Sequence, residues 1–231
     1  GMFKEESDFY KKDADGNFQL DEAGNRIRIA IPKGQQISKN GIWVGDYIYE
    51  DLHEDGVIDE KDRTFLGNPA PKFTFGFNNY FAYKGFDLNI FLNGSVGNKA
   101  VNLIRRTFTD PMRNSNLLKE ATDIALIGMH DPEVGDEELS NVYIVNADRA
   151  KVQRVTTSSA NDNNRISSRF IEDASYLRIK NISLGYTFPR KWLRHLQIDN
   201  IRLYVNIQNL CTISGYKGYD PEIGALNYNV L

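Results

Sequence analysis

Between Lys72 and Val96 the side chains alternate in chemistry with a period of two, and that period admits extended backbone and little else. Phe73, Phe75, Phe77, Phe81 and Tyr83 share one parity, with Asn79 as the exception, and Thr74, Gly76 and Asn78 hold the other. A short Tyr83-Lys84-Gly85 turn follows. Then Phe86, Leu88, Ile90 and Leu92 alternate against Asp87, Asn89 and Asn93, with Phe91 breaking the rule on the polar side. The pattern predicts an antiparallel hairpin with one apolar and one polar face. Each arm runs to about ten residues, longer than the usual soluble strand of about five or six.

The same signal returns near the end of the chain. Residues 169–188 read as strand, with Ile182, Leu184, Tyr186 and Phe188 on one parity and Asn181, Ser183, Gly185 and Thr187 on the other, stopped by Pro189. Residues 199–212 read as a further strand in which Ile201, Leu203, Val205 and Ile207 alternate against Arg202, Asn206 and Gln208. Between the two strand pairs, residues 100–165 suit short helices interrupted at Pro111, Pro132 and Gly135, and the Thr/Ser/Asn-rich stretch 156–164 reads as an exposed loop. Ahead of the first pair, turns at Asp13–Asn17 and Glu22–Asn25 predict small hairpins, and 42–49 reads as a strand leading into an acidic loop. Short turns at one end and long excursions at the other suit an outer-membrane barrel. Periodicity alone favours a soluble β-sandwich or half-open sheet, whose solvated face also alternates.

Composition narrows the classes. Among 231 residues the formal net charge is −3, so no basic excess supports nucleic-acid binding. Aromatic residues make up 12%, dominated by Tyr and Phe, a bias that suits strands and membrane interfaces. The lone Cys211 excludes an internal disulfide. No apolar run is long enough for a transmembrane helix, and the N-terminal residues lack the apolar core of a signal peptide. No enzyme site emerges: His130 beside Asp131, and His195 in the basic Arg190–Arg194 turn, have no nucleophile in a recognisable motif.

Asp51–Asp62 follows the spacing of a calcium loop. Asp51, Asp55, Asp59 and Asp62 supply carboxylates at positions one, five, nine and twelve, Gly56 permits the sharp turn, and Val57 offers its carbonyl. Ile58 would anchor the loop in apolar surroundings. Position three is His53, a poor ligand for a hard cation, and Asp62 is shorter than the usual Glu. The expected candidate ligands for Ca2+ are therefore Asp51, His53, Asp55, Val57, Asp59 and Asp62, with an acidic turn that holds no metal as the alternative.

Gly45–Leu52, Asp55–Asp59 and Asp62–Thr64 together resemble the Gly-Asp-strand-Asp-Leu-Asn-Gly-Asp-Gly-x-Ile-Asp-x-x-Asp-Arg segment of SusC/RagA-like TonB-linked outer-membrane transporters. The resemblance continues through Gly67–Phe73, Gly76–Asn79 and Tyr83–Leu88. It resumes at Asn164–Ser167, Arg169–Arg178, Asn181–Pro189, Gln208–Leu210 and Tyr216–Glu222. His53 departs from it, since the family usually has Asn there.

The resemblance implies an all-β fold: antiparallel strands forming part of a transmembrane β-barrel, with long loops containing short helices. It places residues 1–70 as an extracellular-type loop region with small hairpins and the calcium-like loop, and 71–231 as a C-terminal barrel segment. The family's plug, TonB-contacting segment and final strand are expected to lie outside this chain, which would then be a piece unable to close a barrel alone. The implied setting is the outer membrane of a Gram-negative bacterium. The implied partners are a SusD-like surface lipoprotein acting as a lid, TonB through the missing N-terminal part, and a glycan or peptide substrate. Loops 98–165 and 212–231 would face substrate or lid, with Tyr216, Tyr219, Asn161 and Asn163 as candidate substrate contacts. The alternative from a different class is a soluble, calcium-stabilised, β-rich carbohydrate-binding module whose stacking platform is Trp43, Tyr47 and Tyr49. The two readings separate on whether the apolar face of Phe73, Phe75, Phe77, Leu88 and Ile90 meets lipid or is buried by protein.

Overall fold

A computed structural model describes Gly1–Glu222. Its strands are, in chain order, β1 (Ile31–Pro32), β2 (Val57–Ile58), β3 (Phe73–Tyr83), β4 (Phe86–Val96), β5 (Lys99–Val101), β6 (Ile127–Met129), β7 (Val142–Ile144), β8 (Ile171–Asp173), β9 (Tyr176–Thr187) and β10 (Arg202–Ser214). Among the described residues there are also two short α-helices, α1 (Leu103–Phe108) and α2 (Arg190–Leu193), and six 3-10 turns. No described helix is long and apolar enough to cross a membrane.

The chain forms two units. The first takes Gly1–Phe65 together with Ile104–Ile166; the second takes Leu66–Leu103 and Ser167 onward. This differs from the division at residue 70 expected from the sequence. The long excursion between the strand pairs shares its apolar side chains with the N-terminal segment: Ala125, Val142 and Ile144 are buried in one cluster with Phe3, Phe9, Ile42, Trp43 and Val44.

The second unit is built on one antiparallel sheet in the order β10-β9-β4-β3. Its hairpin turn needs left-handed backbone at two successive residues, and Lys84 and Gly85 supply φ of 46° and 89°. The register brings like with like: Phe77 pairs with Leu92, Phe81 with Leu88, Leu88 with Leu184, and Leu184 with Val205. On the other face Asn89 pairs with Ser183, and Ser183 with Asn206. Phe91, the departure on the polar side, lies beside the glycine at position 76, where an added Cβ would meet its ring at 3.4 Å.

A bulge changes the phase of the sheet. Lys180 has no partner on β4, because Phe91 faces Asn181 and Leu92 faces Ile179. On β10 the residues Asn209 and Leu210 intervene between Gln208, opposite Asn181, and Cys211, opposite Ile179, and Asn209 takes φ of 50°. The apolar parity of β9 therefore switches from Ile182, Leu184 and Tyr186 to Leu177 and Ile179. A one-residue shift turns every later side chain over, and this one carries Tyr176 and Arg178 onto the polar face.

The first unit has a well-buried core and little regular structure. Phe3 and Phe9 stack at 4.0 Å between ring centroids, and isolated bridges rather than a ladder join Tyr10 to Arg28, Lys12 to Phe18 and Leu20 to Arg26. Two turns of the same design close that meander. Asp13 accepts from the backbone N–H of Asp15 and Asn17, and eight residues later Asp21 accepts from those of Ala23 and Asn25.

Three local expectations are corrected here. Residues 42–49 are not a continuous strand: Gly45 takes φ of 94°, the Asp46 N–H donates to the Trp43 carbonyl, and the Asp46 carboxylate accepts the Trp43 N–H at 2.8 Å. A Cβ at Gly45 would lie 2.7 Å from that of Arg154. The excursion is less helical than its composition implied, since α1 is its one α-helical stretch among the described residues and β6 pairs with β7 where helix or loop was expected. The 156–164 stretch is not a wholly exposed loop, because Asn161 is buried.

Candidate functional site

The four-stranded sheet presents two chemically different surfaces. Its apolar face carries Phe73, Phe75, Phe77, Phe81, Leu88, Ile90, Leu92, Leu184, Leu203, Val205 and Ile207 in register. This face stays open: Phe77 is 57% exposed, Leu203 63% and Val205 65%, while Leu88 and Ile90 are half-buried by their neighbours. The strands are 11, 11, 12 and 13 residues long. At about 3.3 Å per residue that is about 35–45 Å, or roughly 25–30 Å of depth when tilted by about 45°, the height of an outer-membrane apolar band.

The polar face carries Asn78, Asp87, Asn89, Asn93, Asn181, Ser183, Arg202 and Asn206, with Tyr80 and Tyr204 among them. Asp87 receives a two-point ion pair from Arg202, at 2.5 and 3.2 Å. The side-chain oxygens of Asn89, Asn93 and Asn181 are buried with no hydrogen-bond partner. At one end of this face Arg178 donates to Thr212 Oγ1 at 2.8 Å, to Asp220 at 2.6 Å and to Glu222 at 2.5 Å. Sequence reasoning missed this cluster, although Arg178 and Asp220–Glu222 each sit in a block that resembles the transporters. The pairing of those blocks has no signature along the chain.

Tyr216 and Tyr219 lie in the same segment as Asp220. Tyr219 is 90% exposed; Tyr216 is half-buried, and burial raises its phenol above the ordinary value. Asn161 and Asn163 are in the first unit and are structural. Asn161 Nδ2 donates to the Tyr47 carbonyl and to Asn163 Oδ1, Asn163 Oδ1 also accepts the Tyr47 N–H, and Asn163 Nδ2 donates to Asp46. Asp46 in turn holds Arg154 at 3.0 and 3.1 Å, with both side chains buried. The four candidates thus divide between the two units, Asn161 and Asn163 in the first and Tyr216 and Tyr219 in the second.

The proposed stacking platform does not form either. Trp43 is 2% exposed and belongs to the core. The Tyr47 hydroxyl donates to the Lys151 carbonyl and accepts from Gln153 N–H. Tyr49 donates to the Asp162 carbonyl and lies under Arg165.

The acidic loop is closed by its own hydrogen bonds. Asp51 accepts the Gly56 N–H, Asp55 the Val57 N–H, Asp59 the Lys61 N–H, and Asp62 those of Leu52 and Asp59. These amides, Asp59's foremost, hold the Asp62 carboxyl below the usual carboxylate value. Gly56 takes φ of 83°, and Ile58 is buried and paired with Pro32. Lys61 bridges to Asp55 at 3.3 Å, and His53 lies 3.9 Å from Asp62. Asp51 Oδ1 is buried with no donor, which leaves one oxygen for a cation. Among the described residues, however, no three His, Cys, Asp or Glu side chains already surround a common metal position.

Long antiparallel strands, one open apolar face, one polar face and long connections define a segment of an outer-membrane-type β-barrel wall. Comparison with known proteins agrees. The chain is 32% identical over 199 residues to TonB-dependent receptor P3 of Formosa agariphila, covering 86% of this chain and 18% of that protein. It is 26% identical over 177 residues to TonB-dependent receptor SusC of Bacteroides thetaiotaomicron, covering 76% of this chain and 15% of that one. The chain therefore spans less than a fifth of the curated relatives it matches. The fold is shared with the RagAB peptide importer in its open-open state, at a TM-score of 0.51 and 21% identity, over 90% of this chain and 22% of that one. No family model matches. By sequence and fold the chain is related to the SusC/RagA-like TonB-dependent receptors.

Proposed function

We propose that this chain supplies barrel wall and extracellular loops to a TonB-dependent outer-membrane transporter that imports a large nutrient, a glycan or a peptide, under a SusD-like lid lipoprotein. In that reading TonB acts through a part of the protein outside this chain, and the residues here carry no catalytic chemistry. The observation that supports it is an apolar face, broken at Asn79 and shifted at the Lys180 bulge but left open among the described residues, set back to back with a polar one. Water on both faces would leave a row of Phe, Leu and Val side chains hydrated at roughly 25 cal/mol per Å2; lipid on one face removes that cost.

The test is residue-by-residue labelling in the intact bacterial membrane. With Cys211→Ser as background, Val205→Cys should react with a lipid-soluble reagent and resist a water-soluble one, and Asn206→Cys should show the reverse. Equal labelling of both by the water-soluble reagent would overturn the membrane placement. Substrate class is read separately, from loss of uptake of fluorescent glycans or peptides when the gene is deleted.

Within the same reading we propose that Asp51–Asp62 takes Ca2+ weakly. Asp51 Oδ1 and the Val57 carbonyl would be the first ligands, and Asp55 would exchange Lys61 for the ion. Millimolar Ca2+ should raise the melting temperature of the wild type by a few degrees and leave Asp51→Asn unmoved. Identical melting with Ca2+ and with chelator would dismiss the idea.

A further inference from the structure

We propose that Gly215–Glu222 is a strap latched across one end of the sheet's polar face by Arg178, and that release of this latch opens that end of the face. The proposal concerns the chain's own conformation and holds whichever nutrient is carried.

The geometry sets the strap apart from the strand it follows. Strand β10 is held to β9 by a backbone ladder up to Ser214 opposite Tyr176. Beyond it, the anchors among the described residues involve side chains. Ser214 Oγ donates to the Ser175 carbonyl and accepts the Tyr216 N–H. The Lys217 N–H donates to Glu172 at 2.9 Å. Arg178 then reaches both acidic groups, Asp220 through Nη2 and Glu222 through Nη1, and Lys180 adds a contact to Glu222 at 3.3 Å. Asp220 Oδ1 also accepts the Glu222 N–H, which fixes the spacing of the two carboxylates.

Burial is uneven across the latch. The Arg178 side chain is 8% exposed, whereas Asp220 is 28% and Glu222 37% exposed. The cation is embedded in the sheet and the anions arrive from the solvent side. Opening the strap therefore rehydrates the carboxylates at once and lets water reach the guanidinium, so among the described residues the closed state is held by partly wet contacts. Glycines at 215 and 218 flank the first turn, and an added Cβ at 215 meets nothing within 4 Å, so a hinge there meets no packed neighbour. The bulge at Lys180 is what makes the latch possible: in unbroken alternation Arg178 would share the parity of Ile182 and Leu184 and point to the apolar side.

Trypsin cleavage after Lys217 in the full-length protein, in its membrane, reads the open state. Asp220→Asn combined with Glu222→Gln leaves both strands untouched and should speed that cleavage at least tenfold. Raising NaCl to about 0.5 M, where the Debye length falls to a few ångströms, should speed the wild type several-fold and the double variant little. Arg178→Gln should behave like the double variant. If it fails to assemble, the double variant decides alone. Cleavage of the double variant at the wild-type rate at low salt, or a wild-type rate that NaCl does not change, would overturn the latch.

Discussion

The two units solve the same problem with opposite means. The first buries Phe3, Phe9, Ile42, Val44 and Val142 almost completely, yet its strands are two or three residues long. The four-stranded sheet of the second has strands of 11 to 13 residues and leaves Phe77, Leu203 and Val205 more than half exposed. Regular hydrogen bonding and a buried core are thus separable. Where water is the solvent, side chains such as Asp13, Asp46 and Asn161 satisfy the backbone of irregular loops. Under the proposed membrane setting, the backbone of the second unit's sheet satisfies itself through a ladder interrupted at the Lys180 bulge, and the apolar side chains need no protein cover.

The largest expected effect tests the first half of that contrast. Asp46→Ala removes the counter-charge of the buried Arg154 beside the Trp43 turn and leaves it the Lys39 and Gly41 carbonyls, and a broken buried pair costs about 3–5 kcal/mol. Hydrogen exchange should show loss of protection at Trp43, Tyr47 and Arg154, with the β4–β9 ladder unchanged. Collapse of both units together would mean they are not separate in stability.

A smaller effect tests the second half. Val205→Arg, on the open apolar face, should cost roughly 2–4 kcal/mol of stability in the bilayer if it lies near the midplane, while Asn206→Arg, one residue along on the polar face, should cost under about 1 kcal/mol. Measured by denaturant unfolding from lipid, equal costs would erase the distinction between the faces.

The smallest effect is on acid stability. In the first unit the Asn17 and Asn25 amides hold the Asp13 and Asp21 carboxyls below their ordinary value of 3.8. In the second, the Ser175 hydroxyl and N–H and then Lys99 bring Asp173 down to about 2. A carboxylate depressed by folding stabilises above its unfolded value and loses that contribution as pH falls through the folded one. Both sites should hold at neutral pH and loosen below pH 4, Asp173 only as pH approaches 2. Carboxyl chemical shifts followed from pH 6 to 2 would show the order, and simultaneous titration near 4 would contradict it.

Much of the second unit was legible along the chain because a strand writes its two faces as simple alternation. Phe73–Tyr83 and Phe86–Leu92 could be assigned to faces, and the turn between them placed, from residues alone. The first unit was not legible in this way. Trp43, Tyr47 and Tyr49 look like one face of a strand, but Gly45 turns the backbone between them and Asp46 ties the turn to Arg154, more than a hundred residues away. Asn161 and Asn163 sit in a stretch whose composition reads as surface, yet they are spent on Tyr47 and Asp46.

By itself the sequence determined that this protein contains long two-faced antiparallel strands and an acidic loop with calcium-like spacing, and that it resembles the transporters of one family. Each of these is a local property, carried by neighbouring residues or by short blocks in order. Only the tertiary structure decided that the excursion packs with the N-terminal segment, that the Lys180 bulge sends Arg178 to the polar side, and that Arg178 meets Asp220 and Glu222. Those outcomes depend on contacts between residues far apart in the chain, and period and composition carry no record of which distant partner a charge will find.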